Sequence, residues 1–370
     1  MLRNLTKAEN RPDALLLTVI AVLLIVGVVM VYSASHVWSL YKFGDEFYYL
    51  KRQLLFAGVG FVAMLFFMLI PYTTWKKYSN FILLGCFILL ILVLIPGIGM
   101  VRGGARSWIG VGAFSIQPSE FMKLGLIIFL AALLSEKQKY ITSFTKGFLP
   151  SLLLIFTAFG LIMLQPDLGT GLVLVLTCVI MLFIAGARIS HFVGLGLIGL
   201  IGFAFLIISA PYRISRIVAF LNPWEDPLGD GFQIIQSLYA IGPGGLMGLG
   251  MGNSLQKYFY LPEPQTDFIF AILAEELGFI GGVGLILLFF VLLWRGIKIA
   301  LESIDPFARY LALGIVAMLI IQVMINISVV IGLIPVTGIT LPFLSYGGSS
   351  LTLTLCSVGI LLNISIHSKI

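Results

Sequence analysis

Asp267 is the acidic side chain whose position best suits chemistry. It ends the longest polar stretch of the chain, residues 210–267, and stands directly before the apolar run Phe268-Ile269-Phe270. A helix N-terminus stabilises a carboxylate in its ionised form, and an ionised carboxylate can act as a general base. Helix N-capping would explain the same position. The sequence therefore predicts either a catalytic base or a capping residue at Asp267.

Four arginines lie in loops close to the ends of apolar runs. Arg102 and Arg106 belong to the segment 101–109, and Arg213 and Arg216 follow the seventh apolar run. The planar guanidinium group matches phosphate oxygens in a bidentate manner, which suits recognition of a pyrophosphate. Anchoring to lipid phosphates is the alternative interpretation.

Five further charged residues fall within or beside apolar runs, where an unpaired charge is costly. Glu120 and Lys123 are three residues apart and share a helical face, so they form either a structural ion pair or a site where Lys123 meets an anionic substrate. Asp167 precedes a helix and is either its N-cap or a functional acid. Glu275 and Glu276 are adjacent, and at least one needs a partner; we expect a structural role.

The composition identifies the class of protein that positions these side chains. Hydrophobic residues make up 60% of the 370 residues and charged residues 10%, whereas a soluble domain carries roughly 25% charged residues. The apolar runs are continuous rather than alternating, which favours helices over a membrane β-barrel. We therefore predict an all-α polytopic membrane protein. Its predicted spans are 14–34, 53–71, 78–96, 118–135, 147–165, 169–186, 190–209, 268–294, 308–332 and 345–366.

The topology follows from this even number of spans and from the loop charges. Lys and Arg are enriched in the shorter loops on the side of the termini, so the positive-inside rule places both termini in the cytoplasm. Residues 210–267 then form an extracellular loop within a single membrane domain, residues 1–370. The first run is too long for a signal-peptide core, and we interpret it as an uncleaved anchor.

Several other functions are disfavoured by the sequence. No strand precedes the glycine-rich stretch 248–252, which is therefore better explained by flexible turns than by nucleotide binding. Three cysteines within spans and three scattered histidines indicate neither a disulfide framework nor a zinc site. The basic cluster expected of a nucleic-acid-binding surface is absent.

Six motifs in one order resemble the SEDS family (shape, elongation, division and sporulation; FtsW/RodA/SpoVE). The motifs are Arg106-Ser107-Trp108-Ile109, 117–123, 165–170, 226–229 with 231–237, 266–271 with 275–278, and 342–349. The resemblance covers essentially the whole chain. It favours the division and sporulation branch over the elongation branch, and the segments 97–102 and 261–267 look closest to the sporulation members.

The resemblance implies a peptidoglycan glycosyltransferase in the bacterial cytoplasmic membrane. Such a protein polymerises lipid II at the outer face, in division or spore cortex synthesis, beside a class B penicillin-binding protein. The acid of the family's Thr-Asp-Phe-Ile-Phe motif is implied to be catalytic and falls on Asp267. The family's other motif positions fall on Arg106, Glu120, Lys123 and Asp167. Many relatives carry His before the Thr-Asp pair, where this chain has Gln265.

The implied reaction joins a sugar 4-hydroxyl to the anomeric carbon of a second lipid-linked disaccharide in one inverting displacement. It needs one base, for which we expect Asp267, and positive charge on the departing pyrophosphate. Arg106, Lys123, Arg213 or Arg216 can supply that charge. A divalent cation, Mg²⁺ or Mn²⁺, is an alternative, and Asp267 is then either the base or a ligand of that cation.

Two other functions remain open from the sequence. Ten spans with intramembrane charges also suit a lipid II flippase, which needs a path across the bilayer where a polymerase needs one face. A scaffold that only recruits the penicillin-binding protein would tolerate substitution of Asp267. We expect lipid II, the penicillin-binding protein and membrane lipids as partners, and no nucleic acid.

Overall fold

A computed structural model describes residues 11–102, 104–111, 114–209, 211–229 and 231–368. Within these ranges the chain forms twelve α-helices and one small antiparallel sheet of three strands in the order β1-β2-β3. The helices are α1 (Ala14–Phe43), α2 (Tyr48–Leu69), α3 (Tyr72–Leu94), α4 (Pro118–Lys137), α5 (Leu149–Met163), α6 (Leu168–Ile184), α7 (Ile189–Ile208), α8 (Pro211–Leu221), α9 (Phe232–Gly244), α10 (Ile269–Glu302), α11 (Pro306–Val330) and α12 (Gly348–Ile366). The strands are β1 (Gly99–Arg102), β2 (Ala105–Val111) and β3 (Phe114–Ile116).

The prediction of an all-α polytopic membrane protein is confirmed. Each of the ten predicted spans coincides with a helix, and eight helices of the described chain are long and apolar enough to cross a membrane. The other two, α6 and α7, carry shorter apolar stretches, Leu168–Ile184 and Ile189–Gly202. The sheet was not predicted, because its short strands lie in a stretch that the helical patterns leave as a loop.

The helix directions divide the connecting segments between two ends of the bundle. One end, here called the sheet end, carries residues 44–47, 95–117, 164–167, 209–268 and 331–347. The other end carries the first and last described residues, 11–13 and 367–368. Asp167, Arg106 and Asp267 therefore lie at the same end. The placement of the termini in the cytoplasm stays a prediction.

The segment 331–347 is partly buried between the helices rather than lying on the protein surface. Ile339, Leu341, Phe343 and Leu344 are buried. At Gly27 of α1 a Cβ atom would lie 2.2 Å from the carbonyl oxygen of Phe343, so only glycine permits this close approach. The segment thereby packs among the helices beside the residues that precede α10.

The stretch 210–267 contains α8, α9 and a glycine-rich turn that supports a break in α10. Gly278 interrupts α10 with φ 65° and ψ −163°, a conformation that favours glycine. The amides of Leu249 and Gly250 donate to the carbonyls of Glu275 and Glu276 at 2.9 and 3.0 Å. The turn therefore satisfies backbone groups that the broken helix leaves without partners.

Candidate functional site

Asp267 lies between the polar stretch and α10 and does not cap the helix. The helix begins at Ile269, and the N-cap residue, Phe268, makes no side-chain capping bond. The Thr266 hydroxyl lies 2.9 Å from an Asp267 carboxylate oxygen and 2.8 Å from the carbonyl oxygen of Glu263. Its single proton is thus shared between two acceptors. The half-buried Asp267 carboxylate keeps capacity to accept further hydrogen bonds.

Burial raises the pKa of Asp267 to about 6, because removal from water disfavours the charged form. Glu263 adds to this increase, whereas the Thr266 hydroxyl, the residue's own backbone N–H and Arg216 lower the pKa. A carboxylate with this pKa is ionised at neutral pH and is a stronger base than an ordinary aspartate. These properties suit proton abstraction from a hydroxyl.

Three donors hold the backbone around Asp267. The Tyr346 amide donates to the Gln265 carbonyl at 2.8 Å, and the Ser345 hydroxyl donates to the Thr266 carbonyl at 2.5 Å. Asn326 Nδ2 donates to the Asp267 carbonyl at 2.7 Å. Ser345 and Tyr346 belong to a motif that the sequence flagged. Asn326 was missed, although an amide within an apolar helix is a signal of a buried polar contact.

Arg216 is the cation whose charge acts on the Asp267 carboxylate in the described structure. It extends from α8, lowers the pKa of Asp267 and donates from Nη1 to the Val336 carbonyl at 3.0 Å. It also lines a cavity of about 330 Å³, whose other lining residues are Leu228, Gly229, Phe232, Gln233, Ile234, Pro262 and Val336. The side chain of Arg213 lies outside the described part of the structure.

Asp167 accepts hydrogen bonds on both carboxylate oxygens and caps α6. One carboxylate oxygen accepts from the Thr170 amide at 3.0 Å. The other accepts from Gln117 Nε2 at 2.8 Å and lies 3.4 Å from the Ser119 hydroxyl. The capping role that the sequence allowed is present. Binding of substrate by Asp167 stays a prediction.

Glu120 and Lys123 form the ion pair that their spacing indicated. The Lys123 ammonium lies 2.8 Å from a Glu120 carboxylate oxygen, and the Lys123 side chain is 3% exposed. The positive charge of Lys123 is therefore balanced by Glu120 inside the bundle. A contact of either residue with substrate stays a prediction.

Arg106 lies on β2 against the end of α3. Its Nη1 donates to the Leu94 carbonyl at 3.4 Å, and the hydroxyl of the neighbouring Ser107 donates to the Gln165 carbonyl at 3.0 Å. The motifs around Arg106, Asp167 and Lys123 thus gather at the start of α4 and α6. The substrate contact expected of Arg106 stays a prediction.

The segment 331–347 joins this group of motifs to Asp267. At Gly169 in the first turn of α6 a Cβ atom would lie 2.6 Å from the carbonyl oxygen of Thr337. Two residues further along, the carbonyl of Ile339 accepts from Asn326 Nδ2 at 2.8 Å. Because Asn326 also bonds Asp267, the two sites share one continuous framework.

Glu275 and Glu276 are fully buried and bonded on every side. Glu275 accepts from the Ser254 hydroxyl at 2.5 Å and from the Leu255 amide at 2.8 Å. Glu276 accepts from the Ser33 hydroxyl at 2.6 Å and pairs with the Lys257 ammonium at 3.1 Å. The expectation that at least one of the two glutamates has a partner is met by both, but the sequence did not identify Lys257.

No group of three or more His, Cys, Asp or Glu side chains able to hold a metal ion occurs within the described ranges. Asp267 would offer a divalent cation one carboxylate, and Mg²⁺ is often held by one or two carboxylates together with substrate phosphates. The alternative role of Asp267 as a cation ligand therefore needs the pyrophosphate as a second source of oxygen ligands.

Comparisons with known proteins identify the family. The sequence profile of the family described as "Cell cycle protein" (FtsW, RodA, SpoVE) matches residues 13–370. Stage V sporulation protein E of Bacillus subtilis (strain 168) is 67% identical over 365 residues, which cover 99% of this chain and 100% of that protein. The "Probable peptidoglycan glycosyltransferase FtsW" of Geobacter sp. (strain M18) is 46% identical over 357 residues, covering 96% and 97%.

A solved structure gives the same result. One chain of the structure described as "Structural coordination of polymerization and crosslinking by a peptidoglycan synthase complex" superposes with a TM-score of 0.78 at 32% identity, covering 96% of this chain and 97% of that one. The resemblance inferred from the six motifs, including the division and sporulation branch, is confirmed. The chain belongs to the FtsW, RodA and SpoVE family.

Proposed function

We propose that this protein is a peptidoglycan glycosyltransferase that polymerises lipid II, with Asp267 as the general base. The single observation that supports this most is a half-buried carboxylate between the polar stretch and α10 whose side chain has one hydroxyl donor, shared with the Glu263 carbonyl. A relative and a structural neighbour carry names that refer to peptidoglycan glycosyl transfer or synthesis, and their chemistry needs such a base.

The proposed step conserves atoms and charge. Asp267 takes the proton of the acceptor 4-hydroxyl, and the resulting oxygen attacks the anomeric carbon of the donor. The bond from that carbon to the pyrophosphate oxygen breaks, and the electron pair leaves with polyprenyl pyrophosphate. The α-linked donor gives a β-linked product by a single inversion. A pyrophosphate leaves without protonation, so the second carboxylate of glycosidases is unnecessary.

Arg216 is the cation that we assign to the leaving group. It lowers the pKa of Asp267 and lines the cavity of about 330 Å³, and a guanidinium group suits the oxygens of a pyrophosphate. A cavity of this size lies at the lower end of the range for small-molecule sites and suits one or two sugar rings rather than a long prenyl chain. The prenyl chain would remain in the bilayer.

The proposed orientation places the sheet end outside the cell and both termini in the cytoplasm. Residues 210–267 then form the extracellular loop of one membrane domain, as the positive-inside rule indicates. The proposed partner is a class B penicillin-binding protein, which would crosslink the strands that this chain polymerises. Septal and spore cortex synthesis are both compatible with the relatives found.

Polymerisation by purified protein tests the proposal. Wild type and Asp267→Asn are compared with lipid II and the partner in detergent, where no second leaflet exists for a flippase to act on. We expect turnover to fall by about 10²- to 10⁴-fold in the variant, the usual contribution of a general base, with unchanged expression. Glu302→Gln, at the opposite end of α10, is the matched control and should polymerise normally. Retained turnover by Asp267→Asn would reject the proposal.

A further inference from the structure

We propose that Asn326 and Ser345 are positioning residues for Asp267 and hold its carboxylate in the partly dehydrated place where it acts as a base. The proposal rests on the proposed function of Asp267. Ser345 lies in one of the six motifs but had no role assigned from the sequence, and Asn326 was not singled out at all.

The first observation concerns three consecutive carbonyl groups. The carbonyls of Gln265, Thr266 and Asp267 accept hydrogen bonds from the Tyr346 amide, the Ser345 hydroxyl and Asn326 Nδ2. All three of these carbonyls thus have a donor from outside the segment 265–267.

The second observation is that both side chains are themselves fixed. Asn326 is 1% exposed on α11, and its Nδ2 donates to Ile339 at 2.8 Å as well as to Asp267. The Ser345 hydroxyl accepts from the Leu341 amide at 2.8 Å. A buried amide in an apolar helix needs hydrogen-bond partners, and this one uses its donors to join Asp267 to the segment 331–347.

The third observation concerns what the bonds fix. They restrain the backbone at residues 265–267 and leave the Asp267 carboxylate with the shared Thr266 hydroxyl. Active-site groups work best when surrounding residues fix their position while the reactive atoms stay accessible. Displacement of a catalytic group by about 1 Å can reduce the rate about 10²-fold.

The surroundings of Asp267 determine how its pKa, and with it the acid limb of the pH–rate profile, should change when the backbone restraint is lost. Glu263, on the preceding turn, raises the pKa of Asp267, and Arg216, on α8, lowers it, while burial has the largest effect and raises it. Loss of a backbone restraint lets water reach the carboxylate. Its pKa should then fall toward the ordinary value of 3.8.

The test compares wild type with Asn326→Leu and Ser345→Ala in the detergent polymerisation assay between pH 4.5 and 8. Leucine matches asparagine in size but has no donor. We expect kcat to fall about 10- to 100-fold, KM to change little, and the acid limb of the pH–rate profile to move down by about one pH unit. Ser345→Ala tests the same idea if Asn326→Leu does not fold.

Asn363→Leu is the matched control. Asn363 is 4% exposed on α12 and donates from Nδ2 to the Met68 carbonyl at 2.7 Å, so it is a similar buried amide at the opposite end of the bundle. Its loss should lower thermal stability without moving the acid limb. If Asn326→Leu and Ser345→Ala keep wild-type kcat, or lose kcat with an unmoved acid limb, the positioning role is overturned. Activity in Asp267→Asn would instead overturn the proposed function.

Discussion

Asp267 and the Glu275–Glu276 pair lie fewer than ten residues apart in the chain, yet their surroundings differ completely. The two glutamates are fully buried and accept hydrogen bonds from a lysine, serine hydroxyls and backbone amides. Asp267 is half-buried and shares one threonine hydroxyl with a carbonyl group. The comparison separates two carboxylates whose oxygens are engaged by the fold from a carboxylate whose oxygens keep acceptor capacity.

The difference has a physical cause. A buried charge is tolerated when partners balance it, and a balanced carboxylate has no oxygen to offer a substrate. Asp267 has few partners, so burial raises its pKa to about 6 and leaves it able to accept a proton. Substitutions at the well-partnered Glu276 site should therefore reduce stability, whereas substitution of Asp267, which has few hydrogen-bond partners, should mainly reduce turnover.

The largest effect should come from breaking the saturated site. Lys257→Met leaves Glu276 buried without its cation and should cost about 3–5 kcal/mol, whereas Lys257→Met with Glu276→Met should recover most of this loss. Thermal unfolding in detergent measures both. If Lys257→Met unfolds like wild type but does not polymerise lipid II, the comparison is broken, because this pair then serves the reaction.

Arg216→Met should mainly change turnover. We expect kcat to fall about 10- to 100-fold if the guanidinium group stabilises the departing pyrophosphate. Arg216 lowers the pKa of Asp267, so its removal should move the acid limb of the pH–rate profile upward from about pH 6, opposite to the shift expected for Asn326→Leu. Arg216→Lys should keep part of the rate. If the acid limb does not move in Arg216→Met, the charge of Arg216 does not influence the pKa of Asp267 in the working enzyme.

Asp167 offers a test between capping and substrate binding. Asparagine caps helices about as well as aspartate, and loss of the cap costs about 1 kcal/mol. If Asp167 only caps α6, Asp167→Asn should match wild type in stability and turnover, while Asp167→Ala melts earlier. Normal melting of Asp167→Asn with lost polymerisation would instead identify Asp167 as a second reactive or substrate-binding acid.

The smallest effect concerns the stability of Asp267→Asn. The folded-state pKa of about 6 exceeds the ordinary value of 3.8, so ionisation of Asp267 lowers the stability of the folded protein as pH rises from about 4 to 6. After allowance for partial exposure, the asparagine variant should be more stable by about 1 kcal/mol at pH 7.5. This gain should disappear below pH 4. If wild type and Asp267→Asn melt at the same temperature both at pH 7.5 and below pH 4, the elevated pKa of Asp267 is contradicted.

Much of this protein could be predicted from its sequence because the bilayer constrains the chain strongly. Ten apolar runs predicted ten helices, since a backbone in lipid must satisfy its own hydrogen bonds. The spacing of Glu120 and Lys123 was sufficient for their ion pair, because local helix geometry decides it. The family followed from motifs in a fixed order, and Asp267 was singled out by its place between polar and apolar residues.

Only the tertiary structure determined which side chains surround each acid. Lys257 pairs with Glu276 because a glycine-rich turn folds back onto the break in α10, and no local pattern encodes that contact. Asn326 lies 59 residues from Asp267 in the chain and meets it through helix packing. The sequence by itself determined which charged residues lie within or beside apolar helices. These positions stand out in the sequence because burial of a charge is costly and therefore rare. Long-range packing then decided that Glu276 has Lys257 as its cation and that the Asp267 carboxylate has only the shared Thr266 hydroxyl as a side-chain donor.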